Sequence, residues 1–425
     1  MESKKYILAF LCCAACLTGT AQMKNMIRGR VVQGETGAAI PGASVFITNT
    51  SKGTVSDSSG SFELNNVPEG AYDLIVSSIG YEKAVYSYKA AQLPLWLEIR
   101  LLPRTEELET VVVEPDEKDG WTRWGKFFTD NFLGTNENGN DCRIRNDSML
   151  RFRYSKKTGI LKVLANEPLV IENKALGYRL TYDLENFRYD FHQHSLVYYG
   201  YSLFSELDGK SPSGRQVKSR EKAWKGSIMH FMRSLYHDSL AAEGFQVKRM
   251  VRRPNEEKQR VKEKYRRLLR INDTNLSVRA PGQRSGINIL RGGSATESPR
   301  GIDSSAYYSR IMRQPDLIDE FGETLLTADS LLTTTGRATK SLFFPNYLYI
   351  VYRNEKEDPD YLDYLHEGRA PYFQRSNAFL PDSLPVTIEP TGNYYPPQAF
   401  MTLLYWAWDE KIGNMLPLDY KKVDR

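Results

Sequence analysis

Apolar and polar positions alternate in short runs over the first hundred residues. IRGRVV, GASVFI, TVSDS, SFELNN, YDLIVSSI, EKAVYSYK and LEIRLLP follow one another from Ile27 to about Pro103. Between them stand GETG at 34–37, IPG at 40–42, DSSG at 57–60 and VPEG at 67–70. Each break offers Gly, Pro or Asp where the chain must reverse. Seven short strands at this spacing predict a small antiparallel β-sandwich.

The pattern changes after residue 120. MLRFRYSKKTGILKVLA reads as a hairpin turning at Lys157-Thr158-Gly159, and YRLTYDLENFRYDFHQHSLVYYGYSLF as two or three further strands. In SREKAWKGSIMHFMRSLYHDSLAAEG, Trp224, Ile228, Phe231, Leu235 and Tyr236 recur at helical spacing, and Gly244 marks a stop. One helix is predicted, with His230, Arg233 and His237 on its polar, solvent-facing side. Asn255 is a helix cap with Glu256 and Glu257 in the first turn, supported by the pairs Glu256 with Arg260 and Glu263 with Arg267. The Gly, Ser and Asn-rich stretch from 271 to 310 predicts a long loop or hairpin connection. Strands return around SLFFPNYLYIVYRN and LPVTIEP before the aromatic end NYYPPQAFMTLLYWAWDEKIGNMLPLDY. Residues 121–425 therefore read as a β-rich α+β region, divisible near 245–310.

Composition narrows the class. A length of 425 residues implies two to three domains, and 41% hydrophobic with 26% charged residues excludes a disordered chain and a helical membrane protein. The 12% aromatic content, with 26 Tyr, favours strands or exposed binding surfaces. The net charge of +5 does not point to nucleic acid. Residues 248–270 carry eleven Lys or Arg against three Glu, a net of +8, which leaves the rest at 5 minus 8, or −3. Peripheral contact with phosphates of lipid headgroups or of lipopolysaccharide is the partner this segment suggests.

Lys4 and Lys5, the apolar run Tyr6 to Leu17 and the small residues Gly19, Thr20 and Ala21 have the layout of a secretory signal, cleaved after Ala21. The run is too short to span a bilayer core of about 30 Å as a helix. Lipidation at Cys16 is disfavoured because Cys13 stands where Leu, Val or Ile is required. The expected location is the periplasm or the outer membrane's periphery. Three of the four Cys lie in the signal, so only Cys142 is retained and no intramolecular disulfide forms. Cys142 reads as a small buried hydrophobe.

No catalytic signature emerges. None of His192, His194, His230, His237 and His366 stands in an HxxE or HExxH pattern, and GxSxG, GxxxxGK[ST] and GxGxxG are absent. His192 and His194, two apart in a predicted strand, share one face but lack a third ligand. Glu367, Asp409 and Glu410 stand near aromatic residues and are the acids a glycan- or peptide-directed hydrolase would use around Trp406 and Trp408. No catalytic, cofactor or metal residue is assigned, and no cofactor is expected.

The segment IRGRVVQGETGAAIPGASVFITNTSKGTVSDSSGSFELNNVPEGAYDLIVSSIGYEKA resembles the carboxypeptidase-regulatory-like domain, a transthyretin-like β-sandwich of Bacteroidota envelope proteins. Gly29, Pro41-Gly42-Ala43, Gly53 with the Asp57 to Phe62 turn, Pro68 with Gly70, and Ile79-Gly80-Tyr81 carry the match. The resemblance implies a module without catalytic residues; the residues themselves agree, with Asp57 and Asp73 read as turn acids hydrogen-bonding their own backbone rather than as cation ligands. NEPLVIENKALGYRLTYDLENF, AWKGSIMHFMRSL and the aromatic C-terminal segment resemble proteins of the same bacteria that carry this domain, and imply no activity. In receptors of these bacteria a segment like LETVVVEP, residues 108–115, docks TonB ahead of a plug and a large barrel. Here KDGWTRWGKFFTDNFLG resembles no plug, and 312 residues follow Val113 (425 minus 113). An extended connector is the expected role. Asp147-Ser148-Met149, Asp238-Ser239-Leu240, Asp329-Ser330-Leu331 and Asp382-Ser383-Leu384 look like O-glycosylation acceptors of exported proteins, although Asp238 falls inside the predicted helix.

The expected organisation is a signal at 1–21, the sandwich at 22–103, a linker at 104–120 and an α+β region at 121–425. The expected function is a non-catalytic envelope protein that binds an envelope protein or a glycan. A hydrolase and a small outer-membrane β-barrel are the alternatives.

Overall fold

The computed structural model describes residues 25–68, 70–104, 115–264, 266, 304–336 and 338–422. The signal with its cleavage after Ala21, the connector residues 108–114 and most of the 271–310 stretch lie outside the described residues. Two compact units are present, one of residues 1–247 with 325–425 and one of residues 248–324.

The first unit opens with seven strands: β1 (Met26–Gln33), β2 (Ser44–Ile47), β3 (Gly53–Val55), β4 (Ser61–Asn65), β5 (Ala71–Ser77), β6 (Ala84–Lys89) and β7 (Leu95–Leu101). They form the sheets β4-β1-β7 and β3-β2-β5-β6. Ile27, Val31, Val45, Ile47, Leu74 and Val76 fill the space between them, each fully buried. One residue in two points inward, which is why the alternating runs form strands at all. Pairing is antiparallel except between β1 and β7, which run parallel. Asp57 accepts the Ser59 and Ser61 N–H groups at 2.8 and 2.9 Å, so this turn acid is spent on its own backbone. At Gly60, φ is +77° and an added Cβ would lie 2.5 Å from the Val31 carbonyl, which restricts that turn to glycine.

The next sheet contains β8 (Cys142–Ile144), β9 (Leu150–Ser155), β10 (Ile160–Ala165), β11 (Leu169–Asn173), β12 (Tyr178–Asp190) and β13 (Ser195–Glu206). β12 is its spine, pairing with β11 and β10 along one edge and with β13 along the other. Helix α1 (Gly120–Phe132) covers this sheet, and the Phe128 and Phe132 rings stack 4.9 Å apart against Phe187 and Tyr182. None of the described sheets closes on itself. A sheet with a helix on its face buries its apolar side chains inward, the reverse of the lipid-facing band a membrane barrel requires.

Helices α2 (Gly214–Trp224) and α3 (Ile228–Tyr236) replace the single helix predicted here. Gly226, at φ +76°, turns the chain between them, and the Ser227 side chain starts α3 afresh by accepting the His230 N–H at 3.0 Å. Asp238 lies beyond the helix end, with φ +54°. His192 and His194 are also not on a strand: Asp190 accepts the His192 and Gln193 N–H groups and winds residues 191–194 into the β12–β13 turn. In a turn the alternation that would put both on one face no longer applies.

Two further sheets complete the unit. The opening residues of β14 (Phe245–Pro254) lie beside β18 (Tyr347–Lys356), which continues to β19 (Phe373–Phe379) and β22 (Met401–Leu404). β16 (Leu332–Thr334), β17 (Lys340–Leu342), β20 (Val386–Ile388) and β21 (Tyr394–Tyr395) form the other. Their shared core packs Phe231, Met232 and Leu235 of α3 against Leu348, Ile350, Val386 and Ile388. The sandwich is tied into this unit through backbone: the Asn49 N–H donates to Ser202 O at 2.7 Å, Phe204 to Thr50 at 3.0 Å and Leu418 to Asn49 at 2.7 Å. Lys83 adds ion pairs with Asp183 and Glu185.

In the second unit the rest of β14 pairs antiparallel with β15 (Leu317–Phe321). Asn255 caps the helical residues 256–264, as predicted, by accepting the Lys258 N–H at 3.0 Å. Arg260, however, pairs with Glu257 rather than Glu256, because Glu257 is also held by Tyr307. Of the 271–310 stretch, residues 304–310 are described and begin the helix Ser304–Met312.

Candidate functional site

The first unit contains an open cleft of about 1880 Å³. Tyr72, Asp73, Ser87 and Lys89 of the sandwich line one wall and Tyr198, Tyr199 and Tyr201 of β13 another. Glu389, Asn393, Tyr394 and Tyr395 line a third, and Glu410 and Lys411 stand on the segment after β22. β13 makes this possible. Between Ser195 and Tyr201 none of its residues is fully buried, although five of the seven are Leu, Val or Tyr, and a sheet edge or cleft leaves such side chains part-open. Gly200 is required there, since a Cβ would lie 2.2 Å from the Asp183 carbonyl.

Two of the acids on this space are held by backbone donors. Glu389 accepts the Ala71 N–H at 2.9 Å through Oε1 and the Asn393 amide at 3.2 Å through Oε2. Burial pushes its carboxyl up to about 7, against the pull of those two donors. The neighbouring Tyr72 hydroxyl donates to Thr391 Oγ1 at 3.0 Å. Glu410 Oε1 accepts the Ile228 N–H, at the start of α3, at 2.7 Å. Burial, with Asp409 next to it, pushes the Glu410 carboxyl up to about 8. The Tyr198 hydroxyl donates to the Glu410 carbonyl at 3.3 Å. Burial also raises the Tyr198 and Tyr394 phenols, with Glu410 as the charge nearby, so both stay protonated donors. Burial pulls the Lys411 ammonium down to about 8.

The acids singled out from the sequence are dispersed. Glu410 is on the cleft. Asp409, one residue earlier, points elsewhere, held by Asn136 at 3.1 Å and Asn414 at 2.7 Å. Glu367 is spent on Arg369 at 2.5 Å. Trp406 is buried beside Phe231 and donates to the Gly226 carbonyl at 2.7 Å, and Trp408 is buried with Tyr361 and Tyr405. These tryptophans are core, not an exposed platform.

The face of α3 expected to meet solvent is largely interior. His230 is 3% exposed, accepts the Gly226 N–H through Nδ1 at 3.2 Å and meets Glu243 through Nε2 at 3.1 Å. Arg233 stacks on Trp224 and donates to the carbonyls of Thr391, Leu418 and Tyr420. Only His237 is exposed. Cys142 is buried, and that burial pushes its thiol up to about 12. Among the described residues no group of three or more His, Cys, Asp or Glu is placed to hold a metal ion. Ser148, Ser330 and Ser383 are exposed, while Ser239 is part-buried. No helix among the described residues is long and apolar enough to cross a membrane.

Sequence reasoning missed Glu389 and Lys411. Glu389 directly follows the strand Val386–Ile388, whose inward positions are Val386 and Ile388, so alternation gave no sign that this acid would be buried.

The first seven strands define a small β-sandwich module. Residues 27–113 match the CarboxypepD_reg-like domain, which places that module in a family. Comparison with curated proteins finds no match. Among solved structures, a type II cohesin–X-dockerin complex from Acetivibrio cellulolyticus is 24% identical over 18% of this chain and 56% of that one, with a TM-score of 0.16. In this and a second structure of that complex, the chain spans little more than half of its match, 56% and 51%. A protein from Bacteroides uniformis ATCC 8492 named for carbohydrate binding is 10% identical over 44% of this chain and 80% of its own, with a TM-score of 0.15. One from Bacteroides fragilis NCTC 9343, named as membrane-associated and of unknown function, is 11% identical over 87% of this chain and 98% of its own, again at 0.15. Scores this low define no fold for the whole chain.

Proposed function

We propose that this is an exported, non-catalytic envelope protein that binds an oligosaccharide in the cleft between its sandwich and its C-terminal sheets. The observation that carries the reading is the cleft itself: concave, about 1880 Å³, and lined by tyrosines from three separate elements. Its volume is large for a single small molecule and suits a ligand of several units. Flat rings with a hydroxyl at one end offer what a sugar needs, an apolar surface for its C–H face and hydrogen bonds for its hydroxyls. Tyr199 and Tyr395, 39% and 63% exposed, are the rings most open to a ligand. Export rests on the N-terminal pattern and the family of the sandwich.

Protein starting at Gln22 should bind members of a saccharide array. Tyr199→Ala and Tyr395→Ala should each weaken that binding about tenfold, or about 1.4 kcal/mol. Failure to bind any saccharide would overturn the reading. A second reading is favoured by one observation, the raised carboxyls of Glu389 and Glu410 on one cleft, because acids poised near neutrality suit general acid catalysis. Turnover of a bound saccharide, abolished in Glu410→Gln, would make the protein a hydrolase instead.

A further inference from the structure

Lys411 differs from Lys83, Lys225 and Lys340, which are also part-buried in the first unit. Lys83 has Asp183 and Glu185, Lys225 has Glu221 and Glu355, and Lys340 donates to the Tyr236 carbonyl. Among the described residues, no carboxylate pairs with the Lys411 ammonium and no acceptor takes its hydrogens; its one polar-ring neighbour is Tyr198, with Nζ 5.9 Å from the ring centroid. The two acids that precede it in sequence, and Asp130 on the same cleft, are engaged elsewhere. Asp409 is held by Asn136 and Asn414, Glu410 by the Ile228 N–H, and Asp130 of α1 by Lys126.

An ammonium removed from bulk water without a counter-charge is costly, so proteins pair such groups or supply the partner from a ligand. The position of this one is fixed. Its stem packs on Gly134, where a Cβ would lie 3.1 Å from Lys411 Cβ, and the Gly413 N–H holds the segment to the Leu133 carbonyl at 2.8 Å. A fixed stem with an open, unpaired head on a cleft wall is the arrangement of an anion subsite.

Building on the saccharide reading above, we infer that the cleft selects an acidic oligosaccharide and that the Lys411 ammonium receives a uronate carboxylate of that ligand. A carboxylate fits better than a neutral sugar because only it supplies the missing charge, and a charge-assisted hydrogen bond in a recessed site is about twice as strong as a neutral one. The tyrosines would hold the rings while Lys411 selects the charge.

Calorimetric titration of the purified protein with a panel of uronate oligosaccharides, each beside its carboxyl-reduced neutral form, tests this. The acidic member of at least one pair should bind ten times or more tighter. Lys411→Met should abolish that preference, with a cooperative thermal unfolding transition showing that the variant is folded, and Lys411→Arg should retain it. Equal binding of the two members by the unaltered protein, or a preference that survives in Lys411→Met, overturns the acidic-ligand inference and leaves the saccharide reading standing. Binding of neither member of any pair also overturns the acidic-ligand inference, while the saccharide array decides the saccharide reading by itself.

Discussion

Glu389 shows how one side chain ties stability to pH. Its carboxyl is raised from 4.5 to about 7 in the folded protein, chiefly by burial, so the folded state holds this proton more firmly than the unfolded chain does. Its contribution is therefore fully present below about pH 4.5 and is lost as pH rises through about 7. A shift of this size corresponds to about 3 kcal/mol at most. Glu410 acts in the same sense, whereas His230, lowered by burial, opposes them because its neutral form is the folded one. Comparison with a variant isolates the residue. Glu389→Gln should flatten the decline in denaturant stability between pH 5 and pH 8 and be the more stable protein at pH 8. An unchanged slope would show that this carboxyl does not titrate in that window. Glu389 was hard to find in advance, since an acid closing a strand looks like a turn residue until Ala71, more than three hundred positions away, is seen to donate to it. Cys142 was easy, because a lone cysteine in no catalytic or metal-ligating pattern is most often a small buried hydrophobe.

At the scale of elements, the break between α2 and α3 is decisive for the cleft. It presents the Ile228 N–H to Glu410 and the Gly226 carbonyl to Trp406. Gly226→Ala should destabilise the protein by about 2 kcal/mol or more, because φ of +76° strains any other residue and a Cβ would stand 2.4 Å from Gln374 Oε1. A chemical-denaturation midpoint measures it, and a variant as stable as the parent would show that the turn relaxes freely. The apolar spacing concealed this break. Trp224 and Ile228 are four apart, so the helical period runs through Lys225-Gly226-Ser227 without a fault, while the Gly-Ser pair that stops one helix and caps the next was the available clue. A similar continuation misplaced His192 and His194, where alternation persisted into a turn wound by Asp190. The sandwich strands, by contrast, were legible in the sequence, because Gly, Pro or Asp marks most reversals and burial alternates through β4 and the middle of β1. The basic stretch shows a third situation. Its composition suggested a surface for phosphates, but Arg252, Arg253, Lys258 and Lys262 are paired with Asp319, Glu320 and Asp316, acids that lie some sixty positions on in the same unit. Contact with a membrane through it is an expectation that vesicle flotation with anionic lipids would test, with no flotation counting against it.

For the molecule as a whole, the sandwich does not behave as a bead on a tether. Its Asn49 and Thr50 backbone joins β13, and Lys83 reaches Asp183 and Glu185 across the same junction. A protease site placed between residues 104 and 115 should therefore yield two fragments that still elute together in size-exclusion chromatography under native conditions. Separation of the fragments would mean that the junction is too weak to form one wall of a binding cleft. None of this was visible in the sequence, since contacts between Asn49 and Ser202 or Leu418 join positions with no local pattern in common. The second unit adds a topological point. Its 77 residues, 248 to 324, leave the first unit after Val247 and return at Leu325, and the Leu326 N–H donates to the Val247 carbonyl at 2.8 Å. To the folding chain this excursion is a loop whose two ends touch, and the entropy of closing such a loop grows only with the logarithm of its length. The gap is therefore already bridged, and the excursion can be lengthened, exchanged for a reporter domain or cut back to a tight turn while the frame around the cleft keeps its register.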